Sequence, residues 1–211
     1  MMVLCGGIQN SQDLCAVHSL NALTGAWAQL PRLPAERASP SVAWLGGHVY
    51  LCGGGGAPHE GATRSAWRLR LAGGEHWEAI EPMGACRIGA AVATLGGCLY
   101  LCGGGLVDEE PLRTAERFVP EAGRWEALPP MTSPRAFAAA VALQGLLYVC
   151  CGLGRREGYP RALERLCPQA RPKRAGQRRA AHVPAWQQLP RMAAGRAGAA
   201  VAATSRHLYV C

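Results

Sequence analysis
Lysine is almost missing from this 211-residue chain: Lys173 is the single one among 22 basic residues, and the others are arginines. No run of eighteen or more apolar residues occurs, which excludes an ordinary transmembrane helix. The N-terminus, Met1 to Gly7, has no basic segment followed by a long apolar one and so does not read as a signal peptide. Ten cysteines are present, yet none stand in the Cys-x-x-Cys spacing that a zinc site needs, so no metal is expected. With no secretory signal, these thiols point to a reducing compartment and a cytoplasmic protein. There is no nucleophile elbow, phosphate loop or separated acid pair. The six histidines, His18, His48, His59, His76, His182 and His207, follow no ligand spacing. The expectation is a chain with no catalytic residues and no cofactor.

What is present is a repeat of about fifty residues. Tryptophans fall at Trp27, Trp77, Trp125 and Trp186, and tyrosines at Tyr50, Tyr100, Tyr148 and Tyr209. Both series have intervals of 50, 48 and 61, so one unit carries an insertion. Each unit also has an arginine before an Ala/Val-rich strand and a glycine turn after it. A Tyr-Leu-Cys-Gly-Gly segment or its variant follows, and a proline-rich exit closes the unit. The glycine turn is a hairpin signal, and the prolines end the last strand. Four short strands per unit emerge: a first strand such as Ser41 to Leu45, a second such as His48 to Cys52, a vaguer third such as Ala66 to Leu71, and a fourth carrying the tryptophan. A small antiparallel sheet of this kind cannot bury both faces alone, so neighbouring sheets must stack, and such units close radially into a β-propeller.

The paired glycines, the spaced tryptophan, the arginine before the first strand and the Met after the fourth resemble the kelch-repeat family. The stretch from Glu116 to Trp125 carries the resemblance most fully. The units are most similar to the propeller of BTB–BACK–kelch proteins, here without a BTB or BACK segment. The expected fold is all-β, a kelch-type propeller of about four blades of four antiparallel strands in an incomplete ring. It would be a single domain, with a partial unit at 1–34, units at 35–84, 85–132 and 133–193, and a partial unit at 194–211. Kelch propellers typically have six blades, so the chain reads as a fragment or short isoform with open sheet edges that invite self-association.

The net charge of +8 is concentrated between Arg155 and Arg196, where eleven basic residues face only Glu157 and Glu164. Most of that excess lies in an insert at 168–184, placed between the third and fourth strands. Arg171 to Arg179 resemble a nuclear-localisation patch, which adds a nuclear location to the cytoplasmic one. The insert has neither stacking aromatics nor a recognisable module, so nucleic acid is not the expected partner, and neither is a membrane.

Alternation of loops in a meander puts two sets on one face of the disc: those entering each first strand and those leaving each second strand. Arg37, Arg87, Arg135 and Arg196 enter first strands. Asn10, His59, Asp108 and Arg155 lie in the loops after the glycines. By resemblance to adaptor-type kelch propellers, these eight residues form a partner-binding face, and a ring of guanidinium groups would suit an acidic peptide. The resemblance implies substrate recognition for a cullin-RING ubiquitin ligase. The alternatives are a cytoskeletal, actin-binding role and, behind it, a copper-radical-oxidase-like propeller.

Overall fold
A computed structural model describes residues 2–9, 12–55, 61–105, 110–154, 158–168 and 185–211. All regular elements among them are strands, and no helix is long and apolar enough to cross a membrane. The first blade is β1 (Met2–Cys5), β4 (Val17–Leu20) and β5 (Trp27–Leu30), with a small hairpin, β2 (Ile8–Gln9) and β3 (Gln12–Asp13), in its connecting loop. The sequence treats that segment as plain loop, because two-residue strands carry no periodicity. The second blade is β6 (Ser41–Leu45), β7 (His48–Cys52), β8 (Ala66–Arg70) and β9 (Glu78–Ile80). The third is β10 (Ala91–Leu95), β11 (Cys98–Cys102), β12 (Ala115–Val119) and β13 (Arg124–Leu128). The fourth is β14 (Ala139–Leu143), β15 (Leu146–Cys150), β16 (Leu163–Leu166) and β17 (Trp186–Leu189), and a two-stranded sheet follows, β18 (Val201–Ala203) and β19 (Leu208–Val210).

Each complete blade is an antiparallel meander in simple sequence order. The first blade has three strands in the order β1-β4-β5, and the β18–β19 pair does not join it. In the third blade Tyr100 stands opposite Ala93 and Arg117, and Arg117 opposite Glu126. The second blade repeats this register with Tyr50, Arg68 and Glu78.

The core lies between blades rather than within one. Leu99, Leu101 and Phe118 of the third blade pack with Tyr50, Cys52 and Met83 of the second. On the opposite side Tyr100 and Cys102 pack with Leu147, Val149 and Leu166 of the fourth. Both faces of β11 are therefore covered, which is why Leu99 to Cys102 reads as an uninterrupted apolar run instead of an alternation. The landmark tryptophans clasp neighbouring blades. The indole N–H of Trp77 donates to Pro31 O at 3.0 Å, that of Trp125 to Glu81 O at 2.7 Å and that of Trp186 to Pro129 O at 2.7 Å. Trp27 is 53% exposed.

The glycine pairs do a second job between blades. The Gly54 N–H donates to Arg87 O at 2.8 Å and the Gly104 N–H to Arg135 O at 2.9 Å, so each pair grips the segment that opens the next blade. A side chain on the first glycine of a pair would collide with that segment: a β-carbon at Gly103 would lie 2.2 Å from Arg135 O. Cys151 holds the corresponding place in the fourth blade with φ of 62°, and its Sγ meets Met192 Sδ at 4.0 Å.

Candidate interaction face
The arginines that enter the first strands are not equivalent. Arg135 is fully buried, and its Nη2 donates to Glu164 Oε1 at 2.6 Å. Its Nη1 donates to the carbonyls of Cys151 and Ala162. The other carboxylate oxygen of Glu164 accepts the Thr132 N–H at 2.8 Å. Arg87, 2% exposed, repeats the arrangement: its Nε donates to Glu116 Oε1 at 2.8 Å, and Glu116 Oε2 accepts the Gly84 N–H at 2.9 Å. Arg87 Nη1 also donates to the carbonyls of Gly103 and Thr114. Each of these two arginines ties the entry to a blade to its second and third strands, and neither guanidinium reaches a surface that a partner could touch. Their expected place in a binding face gives way to a bracing role, because a planar five-donor group satisfies several buried carbonyls and a carboxylate at once.

Arg37 is 8% exposed and has a different set of contacts, with Nη1 donating to Glu36 O at 2.9 Å and Nη2 to Ser65 Oγ at 3.0 Å. Arg196 is exposed, and its backbone carbonyl accepts the Gly152 N–H. Asn10, His59, Asp108 and Arg155 lie outside the described residues, as does the basic segment from 169 to 184.

The loops that enter the third strands supply arginines that the sequence reading passed over. Arg64, Arg113 and Arg161 are all exposed and structurally equivalent. Their backbone carbonyls accept the N–H groups of Met83, Met131 and Met192 in turn. The intervals of 49 and 48 between them are the repeat interval and could have revealed them. They emerge on the same face as Arg37 and Arg196. A cleft of about 360 Å³ opens there, lined by Ala35, Arg37, Gly61, Thr63, Arg64 and Cys86 among others. On the sheets themselves the Arg68–Glu78 and Arg117–Glu126 pairs are at least partly exposed and follow the cross-strand register. Such surface pairs contribute little.

The repeated cysteines are not arranged for chemistry. Burial pushes the Cys102 thiol up to about 12 against the opposing pull of Arg87 and Arg135. Burial does the same to Cys5 and Cys150, each to about 12, and raises Cys52 as well. A thiol with so high a pKa is protonated at neutral pH and is a poor nucleophile. In the folded protein at pH 7.5, Cys52, Cys102 and Cys150 are expected to resist iodoacetamide while exposed Cys211 reacts, and mass spectrometry of the labelled peptides checks this. Rapid labelling of Cys102 in the native state would contradict the packing described above. Among the described residues no group of three or more His, Cys, Asp or Glu could hold a metal ion.

Comparison with known proteins agrees with this architecture. Residues 86–132, which hold the third blade, match the Kelch motif family. No curated protein matches the chain. The solved structure described as that of YjhT superposes with a TM-score of 0.73 at 16% identity, covering 93% of this chain and 67% of that one. At that identity the likeness carries the fold. With stacked four-stranded meanders, blade-to-blade tryptophan clasps and a kelch unit at 86–132, the chain has the fold of a kelch-type β-propeller.

Proposed function
We propose that this propeller is a protein-interaction module and that it binds a partner through the face carrying Arg37, Arg64, Arg113, Arg161 and Arg196. The observation that carries the reading is the exposed, equivalent placement of Arg64, Arg113 and Arg161 beside loops whose sequences differ from blade to blade. A regular scaffold presenting variable polar loops is the usual setting of recognition. Guanidinium groups spaced along one face suit an acidic segment, because each can fork onto a carboxylate. The finer role that goes with this reading is substrate recognition for a cullin-RING ubiquitin ligase, in the cytoplasm and, through the Arg171 to Arg179 cluster, the nucleus. Self-association through the outer edges of β1 and β19, each of which pairs on one side only among the described residues, belongs to the same proposal.

The test is affinity capture with the wild-type chain and with a variant carrying Arg64→Ser, Arg113→Ser and Arg161→Ser. Exposed substitutions of this kind shift stability by about 0.5 kcal/mol or less each. The variant is expected to stay folded and to lose its captured proteins, and those held by the wild type are expected to elute with rising salt. An unchanged, salt-insensitive set of captured proteins would show that this face is not the site.

A further inference from the structure
We infer that the second blade takes a carboxylate from outside the chain: Arg37 receives an aspartate or glutamate side chain of the bound partner, in the cleft beside Arg64. This rests on the interaction face proposed above and names one contact within it.

Three blades of this protein differ in what surrounds the arginine that enters the first strand. In the third and fourth blades the buried arginine is neutralised by a glutamate on the third strand, Glu116 or Glu164. That glutamate is held in turn by the N–H of Gly84 or Thr132. Strand register identifies the matching residues of the second blade. Leu101 stands opposite Glu116 and Val149 opposite Glu164, whereas Leu51 stands opposite Trp67. The residue after buried Met83 is Gly84 and the residue after buried Met131 is Thr132, whereas the residue after buried Leu33 is Pro34, which has no N–H. The second blade therefore has neither the acid nor the donor that held it, and it keeps the arginine.

A guanidinium cannot discharge itself by losing a proton, so burial leaves its charge to be met by other groups. Among the described residues no carboxylate pairs with Arg37, which sets it apart from Arg87 and Arg135; its Nε is buried without a hydrogen-bond partner, as are the Arg135 Nε and the indole nitrogen of Trp67. Among the described residues its hydrogen bonds go to the Glu36 carbonyl and the Ser65 hydroxyl, neither of which carries a charge. The same residue lines the cleft of about 360 Å³ with Thr63 and Arg64. Two guanidinium groups and a hydroxyl around an opening of that size match a planar, singly charged carboxylate. The cleft lies among the loops of the face assigned to the partner.

The test uses the full chain and a capped hexapeptide of alternating Glu and Gly, with its Gln counterpart as control. Binding is read from the Arg37 Nε–H resonance by NMR. Two variants report on the site. Arg37→Met removes the charge at similar volume, and Trp67→Glu restores the glutamate that the other two blades already carry at this position. Circular dichroism confirms that each is folded. The Glu peptide is expected to shift the Arg37 resonance and bind at least tenfold more tightly than the Gln peptide, and both variants are expected to lose at least tenfold in affinity for it. Equal binding of the two peptides by the wild type overturns the inference. So does wild-type affinity in either folded variant. In both cases a capture that still depends on Arg64, Arg113 and Arg161 leaves the wider reading of the face standing.

Discussion

Glu164→Ala is expected to lower the stability of the chain by about 3–5 kcal/mol, the cost of breaking a buried ion pair from one side. Glu164 and Arg135 are both fully buried. Removing the carboxylate leaves a cation that cannot leave its charge behind, and it also orphans the Thr132 N–H that Oε2 accepts. The loss is thus the sum of a stranded charge and an unsatisfied donor, not the net contribution of the pair. Replacing both partners by apolar residues of similar volume, Arg135→Met with Glu164→Leu, is expected to cost clearly less than the single change, because neither charge then remains. Urea denaturation of the wild type, the single variant and the double variant checks the pattern. A double variant at least as unstable as Glu164→Ala would mean that the guanidinium's bonds to Cys151 O and Ala162 O, and not its charge, dominate.

Gly103→Ala is expected to be comparably damaging for a different reason. Gly103 has φ of 68°, and a β-carbon there would come within 2.2 Å of Arg135 O and 3.1 Å of Met131 Cε. The left-handed conformation costs about 1–2 kcal/mol for a residue with a β-carbon. Forcing an atom into packed surroundings adds about 1–3 kcal/mol, for a combined loss of about 2–5 kcal/mol. The collision falls on the segment that opens the fourth blade, so the damage is expected at the boundary between blades, with native-state hydrogen exchange rising first at Gly104 and its neighbours. Gly123→Ala is the control. It has φ of 64° with nothing within 4 Å of the added carbon, so it carries the conformational cost without the clash. If the two variants unfold at the same denaturant concentration, the close approach of Gly103 to the next blade does not matter to stability.

These two expectations mark where the sequence was informative and where it was not. Ser41 to Leu45 and His48 to Cys52 are β6 and β7 as read, and the third strands fall within one residue of their expected positions. Legibility came from covering both faces of the second strands, which forces apolar runs, and from turns that only glycine adopts easily. Which loops share one side of the disc follows from the sequence too, since loop alternation in a meander is a matter of counting. The roles of individual arginines on it were not. Arg37, Arg87, Arg135 and Arg196 occupy one repeat position, yet two are buried against glutamates, one is buried without a described acid and one is exposed. The deciding residue lies about thirty positions away on another strand, and its identity matters only once the register pairs it with the arginine's surroundings.

The sequence by itself determined a chain of stacked four-stranded units, because a fifty-residue period with glycine turns and apolar second strands has few other ways to bury its surface. Tertiary structure decided which charges are spent inside the fold and which face outward. Burial depends on what the neighbouring strand supplies. A carboxylate at Glu116 or Glu164 pairs with its arginine inside the fold, whereas Trp67 takes that place beside Arg37, which lines an open cleft with no carboxylate paired to it among the described residues.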